Sequence, residues 1–171
     1  MLCFFAIVLL FTACRQNEPD SRIAEAVEAV RQELAPDRRV VWWQVEAVPH
    51  GKTVTLRGET SHPEAARLLA QKLEAAGYRV QDSLRLLPDS SVAGQVFGLV
   101  NLSVCNIRSR PKHSAELATQ ALLGTPLRVY QRQGDWWLVQ TPDDYFGWLD
   151  ADGFTPLTPE AFRQWQASPR L

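Results

Sequence analysis

Gly134-Asp135-Trp136-Trp137-Leu138-Val139-Gln140-Thr141-Pro142-Asp143-Asp144-Tyr145-Phe146-Gly147-Trp148-Leu149-Asp150 decides how the second half of this chain folds. Two short runs of aromatic and aliphatic residues flank a Thr-Pro-Asp-Asp turn signal, and each run has the length of a strand, so the stretch predicts a β-hairpin. It holds three of the six tryptophans, a concentration that marks either a core or a binding face. Alternation along a strand puts Trp136 and Trp137 on opposite faces, so one of them lies outside the core. Working outward, β-type runs recur at 96–104, 117–123, 126–131, 136–140 and 145–149, separated by turn signals and without a helical stripe. Closely spaced short strands of this kind predict a small barrel or sandwich.

The totals agree with a folded chain of one or two domains: 171 residues, of which 46% are hydrophobic. A formal net charge of -1, with Lys and Arg scattered among Asp and Glu, leaves no basic stripe for a phosphate backbone, which argues against a nucleic-acid partner. Cys3, Cys14 and Cys105 are too few and too far apart for a disulfide framework or a zinc site, and no cofactor is implied.

Residues 2–13 are almost wholly apolar, too short to span a bilayer as a helix, and give way to the polar Arg15-Gln16-Asn17-Glu18. This outlines a signal peptide over residues 1–14. Phe11-Thr12-Ala13-Cys14 resembles a bacterial lipobox, in which Cys14 becomes the lipid-carrying N-terminus. Phe11 stands where Leu is usual, and no Lys or Arg precedes the apolar run. The resemblance implies an envelope lipoprotein anchored to a membrane through Cys14, with residues 15–20 as a tether. The alternative is an apolar helix packed on the domain.

Residues 21–89 predict a small α/β unit. Ile23, Val27, Val30 and Leu34 recur at helical spacing and Ala35-Pro36-Asp37 ends that helix. Residues 39–48 alternate, with Val41, Trp43, Val45 and Ala47 on one side, and turn through Pro49-His50-Gly51-Lys52 into Thr53-Val54-Thr55-Leu56-Arg57, a second hairpin. Trp42 and Trp43 therefore face opposite ways, one into this unit's core and one free to cover a neighbouring domain. Ser61-His62-Pro63-Glu64 reads as a capping box with Ser61 at the N-cap, ahead of a stripe of Ala65, Leu68, Leu69, Leu73 and Ala76 that Gly77 ends. Residues 80–87 make a third strand. The order α-β-β-α-β predicts two helices over one face of a three-stranded sheet. This order, with Val54-Thr55-Leu56-Arg57-Gly58-Glu59-Thr60, resembles the BON domains of bacterial envelope proteins. His50 and His62 read as solvated turn residues.

In the second half, residues 101–111 (Asn101 through Cys105 and Arg108 to Pro111), Leu123-Gly124-Thr125-Pro126-Leu127-Arg128-Val129, Gly134-Asp135-Trp136-Trp137 and Gly147-Trp148-Leu149 resemble, in order, the motifs of the bacterial SH3 domain. The resemblance implies an SH3-like β-barrel over 96–157, followed by a C-terminal helix and tail over 158–171 that Thr158-Pro159-Glu160 opens. The α+β unit, this barrel and the closing 161–171 together resemble the N-terminal half of the NlpC-type cell-wall cysteine peptidases of Bacteroidetes. In that family a second SH3 domain and a papain-like domain follow, so continuation of the open frame past Leu171 is expected if this is a fragment; otherwise another chain supplies catalysis. A cysteine peptidase needs a thiolate, an adjacent His and an orienting group. Cys105 lies in an apolar β run and reads as a buried inert thiol, and His113, in a loop with Lys112 and Ser114, has no signature of a base. No catalytic residue is assigned, and the chain alone is not read as an enzyme.

The SH3 resemblance also implies a ligand groove between the long loop after the first strand and the hairpin tip. Arg108, Arg110, Lys112 and His113 come from the loop; Trp136, Asp144, Tyr145 and Trp148 come from the hairpin. A peptidoglycan stem peptide, or a peptidase domain whose substrate site is shaped there, is the implied partner. Trp136 would offer flat apolar area, Arg108 would pair a ligand carboxylate and Asp144 an amine, with Tyr145 and Arg110 beside them. The structural alternative stands next to it: Val139, Phe146 and Trp148 as core, and Arg108 as a brace bonded to loop carbonyls. The two functional readings are a non-catalytic wall-recognition module and an envelope scaffold that binds a protein partner. Where the family commonly has Pro-Asp-Gly-Tyr, this chain has Pro142-Asp143-Asp144-Tyr145, placing Asp where positive φ is wanted.

Overall fold

The computed structural model describes residues 21–37 and 39–169. The leader, Cys3, the lipidation site Cys14 and the 15–20 tether lie outside the described residues.

The first unit follows the predicted order. Helix α1 (Ser21–Leu34) leads to strands β1 (Trp43–His50) and β2 (Thr53–Thr60), helix α2 (Ala65–Ala75) and strand β3 (Arg79–Leu86). β1 and β2 pair antiparallel and β2 and β3 parallel, in the order β1-β2-β3. Both helices cover one face, because the residues that recur at helical spacing and those that alternate along the strands meet there: Ile23 and Val30 of α1, Leu69 and Leu73 of α2, and Val54 and Leu56 of β2 form one buried cluster. Each fully buried leucine contributes about 2 kcal/mol of hydrophobic stabilisation. Gly58 is required in β2, since at φ +102° a Cβ there would stand 1.9 Å from the Gln44 carbonyl oxygen.

Two local expectations are corrected. The predicted turn residues Pro49 and His50 are the last pairs of the β1–β2 ladder, opposite Val54 and Thr53, so the turn tightens to Gly51-Lys52. Ser61 does not cap α2; its hydroxyl accepts from the Trp42 N–H at 3.0 Å, and His62 Nδ1 accepts from the Glu64 N–H at 3.2 Å ahead of a helix that starts at Ala65. A tertiary hydrogen bond has taken the group that the local motif would have used.

The second unit is a seven-stranded sheet: β4 (Phe97–Val100), β5 (Val104–Arg108), β6 (Leu117–Leu122), β7 (Pro126–Gln133), β8 (Trp136–Gln140), β9 (Phe146–Asp150) and β10 (Phe154–Leu157), in the order β10-β4-β7-β8-β9-β5-β6. The single run expected over 96–104 is two strands. The chain changes direction at Asn101-Leu102-Ser103, with β4 pairing β7 and β10 and β5 pairing β6 and β9. The sheet curls until both edges share one core: Ala121 of β6 and Phe154 of β10 belong to the same buried cluster as Ile107, Val129, Trp137 and Leu149. The sequence predicts a barrel, and this sheet does not close into one; among the described residues the edge strands β6 and β10 are not hydrogen-bonded to each other. β7 leaves β6 to pair with β4 and β8, so β6 keeps a single partner.

Helix α3 (Pro159–Ala167) starts where expected, with the Thr158 hydroxyl accepting from the Ala161 N–H at 3.2 Å and Pro159 in the first turn. Phe162 stacks on Phe97 of β4 at 4.3 Å and 5°. No described helix is long and apolar enough to cross a membrane.

The hairpin β8–β9 is buried on both faces, and this joins the two units. Trp137 and Val139, with Leu149, point into the core of the curled sheet. Leu138, Phe146 and Trp148 point the other way into a second cluster with Leu87, partly covered by Trp42, Tyr130 and Trp136. Trp43 packs on the core of the first unit, and Trp42 is the tryptophan that reaches across, its ring 5.7 Å from that of Phe146.

Candidate functional site

Trp136 opens β8 and is half-buried, whereas Trp137 beside it is 4% exposed. The choice between them is made by which face of the hairpin the curled sheet encloses. Trp136 pairs with Asp150 across the ladder, and the ring of His113, carried by the loop after β5, meets the Trp136 ring edge-on at 5.0 Å. His113 Nε2 lies 3.5 Å from Asp150 Oδ2, and the same Asp150 carboxylate accepts from the Asp152 N–H at 3.0 Å. These groups, with Arg108 and the half-exposed Leu102 and Val104, line an open depression of 380 Å³.

Arg108 performs the bracing role and lines the site as well. Its Nη1 donates to the Ala115 carbonyl at 2.8 Å, across a loop that is also closed by the Ser109 N–H to the Glu116 carbonyl at 2.9 Å and the Ala115 N–H to the Lys112 carbonyl at 3.1 Å. Among the described residues its remaining guanidinium donors have no partner, so they stay available to a ligand. The loop is therefore a fixed wall that brings Arg108 and His113 to the depression that Trp136 lines.

The other sequence-predicted residues lie elsewhere. Asp144 and Tyr145 are at the hairpin tip, beyond the far end of the ladder from Trp136, which itself spans four residue steps at about 3.3 Å each. Asp144 adopts φ +68°, and its N–H donates to the Thr141 carbonyl at 3.0 Å. It borders a hollow with Phe97, Arg128 and Phe162. Tyr145 lies under the Arg39 guanidinium, 5.7 Å from the ring centroid. Arg110 points to the opposite side of the loop from Arg108, into a groove at the seam of the two units. The five residues Trp136, Asp144, Tyr145, Arg108 and Arg110 thus fall on three surfaces. A hairpin separates its two ends, and neighbouring loop residues separate its two sides.

Sequence reasoning missed Asp150 and Asp152 as members of the Trp136 site and left His113 without a partner. The signal was present for Asp150: in a two-strand ladder closed at 140 and 146, position 150 must oppose 136. The approach of His113 required the loop's path, which no local pattern carries.

The seam itself is built on Glu59, which is 8% exposed. Its carboxylate accepts from Trp42 Nε1 at 2.9 Å, Arg85 Nη2 at 2.6 Å and Gln131 Nε2 at 3.1 Å. Gln140, 3% exposed, links the hairpin to the first unit by donating to the Arg39 carbonyl at 3.2 Å while accepting from the Tyr130 hydroxyl at 2.8 Å.

Cys105 is 5% exposed, with burial and then the Asp150 charge pushing its thiol above the ordinary range. Both effects disfavour the thiolate that nucleophilic chemistry requires. Among the described residues no group of three or more His, Cys, Asp or Glu could hold a metal ion.

The curled sheet with its long loop and twin-faced hairpin belongs to the SH3 class of small β domains. Residues 107–154 match the family model of the bacterial dipeptidyl-peptidase SH3 domain, from within β5 to the first residue of β10. This part of the chain is a bacterial SH3 domain of peptidase-associated type, a non-catalytic domain. No curated protein matches the chain.

Proposed function

We propose that the chain is a non-catalytic recognition module of the bacterial cell envelope that binds a peptidoglycan stem peptide at the Trp136 depression. The observation that carries this reading is the convergence of Trp136, His113, Arg108 and Asp150 on one open surface of the SH3 domain that the first unit leaves uncovered. An indole face supplies apolar contact, the Arg108 guanidinium suits a terminal carboxylate, and Asp150 with Asp152 suits an amine. A short zwitterionic peptide offers all three. The peptidase-associated type of the SH3 domain supports a wall-related ligand. Titration of the full chain with purified stem peptide, followed by tryptophan fluorescence, should show saturable binding that Trp136→Ala weakens at least about tenfold. Absence of binding to any wall peptide, with retention of a protein partner, would favour the scaffold reading.

The proposal extends to location and parentage. Cys14 carries the lipid that holds the module at the membrane, and Cys14→Ser should release it from the membrane fraction and change its mass. The module serves an NlpC-type peptidase, either as its N-terminal part or by shaping the substrate site of a separate catalytic chain. Sequencing the DNA past Leu171 distinguishes these.

A further inference from the structure

The groove at the seam between the two units, 510 Å³ in volume, has a different chemistry from the Trp136 depression and shares no lining residue with it. One wall comes from the first unit through Trp42, Gln44 and Arg85; the other comes from the SH3 domain through Arg110, Pro111 and Gln133. Its floor is the Glu59–Gln131 hydrogen bond, both residues being 8% exposed. The Glu59 carboxylate is occupied by three donors, Trp42 Nε1, Gln131 Nε2 and Arg85 Nη2, and Arg85 also lies 3.5 Å from Asp89, so the floor is held in place from both units.

The rim has unspent polar capacity. The side chains of Gln44, Gln133 and Arg110 are exposed and make no hydrogen bond or ion pair among the described residues. Gln44 pairs with Glu59 across the β1–β2 ladder, and Glu59 pairs with Arg85 across β2–β3, so the groove continues onto the sheet face that the helices leave bare. There the next row is Glu46, Arg57 and Ser83, all exposed. A polar, open sheet face thus runs into a groove with a half-buried indole at its base.

We propose that this seam groove binds an acidic saccharide. A primary amide presents a donor and an acceptor side by side, and only a ligand carrying its own O–H or N–H groups uses both; a bare phosphate or sulfate leaves the amide carbonyls of Gln44 and Gln133 unmatched. Vicinal hydroxyls and acetamido groups match them. The unpaired Arg110 guanidinium, beside Arg85, calls for one carboxylate on that sugar. Trp42, its N–H already committed to Glu59, contributes ring surface alone, as a sugar face requires. The inference builds on the wall-binding reading only in the choice of sugar: a wall polymer joins a carboxylate-bearing saccharide to its peptide, and the two sites would each hold one part.

The test uses the full chain and three probes: the peptide-free disaccharide of N-acetylglucosamine and N-acetylmuramic acid, neutral chitobiose, and the stem peptide without sugar. The acidic disaccharide is expected to bind more tightly than chitobiose. Arg110→Ala should weaken it at least about tenfold and Gln133→Ala about threefold, with melting temperatures unchanged because both side chains are exposed. Trp136→Ala should leave the disaccharide's affinity within about twofold while reducing stem-peptide binding. The inference is overturned if the acidic disaccharide does not bind, if Arg110→Ala leaves its affinity unchanged, or if the stem peptide is the probe that Arg110→Ala affects. Stem-peptide binding without disaccharide binding would sink this inference and spare the peptide site; the reverse result would do the opposite.

Discussion

The Glu59 carboxylate accepts a hydrogen bond from the Gln131 amide at 3.1 Å, across 72 positions of the chain, and that contact ties the two units together. Glu59 also holds the Trp42 indole N–H and so sets the ring that covers the outer face of the hairpin. Replacing Glu59 with Ala leaves the buried Gln131 amide and the Trp42 N–H without their acceptor. A loss of about 2–3 kcal/mol is expected by urea denaturation. Arg85→Ala should cost less than about 1 kcal/mol, because that side chain is 57% exposed and its ion pair is screened. Equal effects of the two substitutions would contradict this division of roles.

The two adjacent tryptophans of β8 should separate cleanly by stability. Trp137 packs against Phe154 at 5.5 Å inside the sheet, and Trp137→Ala is expected to cost about 3–5 kcal/mol. Trp136 meets His113 and covers only part of the Leu138-Phe146-Trp148 cluster, so Trp136→Ala should cost clearly less, about 1–2 kcal/mol, while carrying the loss of peptide binding. Chemical denaturation of both variants checks the contrast, and a Trp136 variant that fails to fold would remove it from the list of ligand contacts.

Asp144 sits at φ +68° between Thr141 and Tyr145, in the position that favours glycine. Relief of that backbone conformation should make Asp144→Gly more stable by about 0.5–1 kcal/mol, whereas the β-branched Asp144→Val should lose about 1–2 kcal/mol. Thermal melts read both. A destabilised glycine variant would mean that the carboxylate itself holds the tip.

Cys105 provides the pH-dependent case. Burial, and then the Asp150 charge, raise its folded thiol above the ordinary thiol range, so the native state holds this proton more tightly than the unfolded chain does. That contribution is complete below the unfolded value and is lost as pH rises through the folded one. Stability should therefore fall on the alkaline side by a larger amount in the parent protein than in Cys105→Ala. Iodoacetamide at about pH 8 should label Cys105 only after denaturation; rapid labelling of the native protein would show the thiol to be accessible.

Helical periodicity located α1 and the stripe of α2, an aromatic and aliphatic run before a turn signal located the 136–140 strand, and a Thr-Pro-Glu capping signal the start of α3, because each depends on residues a few positions apart. The successive SH3 motifs were legible for the same reason, each being a short turn or strand signature. Closure of the sheet was not, since whether β6 meets β10 depends on where β7 goes. The capping role expected of Ser61 gave way to Trp42, a residue 19 positions earlier that only the folded chain brings near.

The hairpin from Gly134 to Asp150 shows where the boundary falls. Sequence by itself determined that it is a hairpin and that Trp136 and Trp137 face apart, because strand geometry is local and period two allows no other outcome; the expectation that Trp136 and Tyr145 share one groove gave way to the ladder that holds them at opposite ends. Tertiary structure decided which face became core, that Trp42 and Leu87 cover the other, and that His113 and Arg108 arrive beside Trp136 while Arg110 turns to the seam. Those outcomes depend on how the two units dock and on the path of one loop, and they are set by burial and hydrogen bonds between residues far apart in the chain.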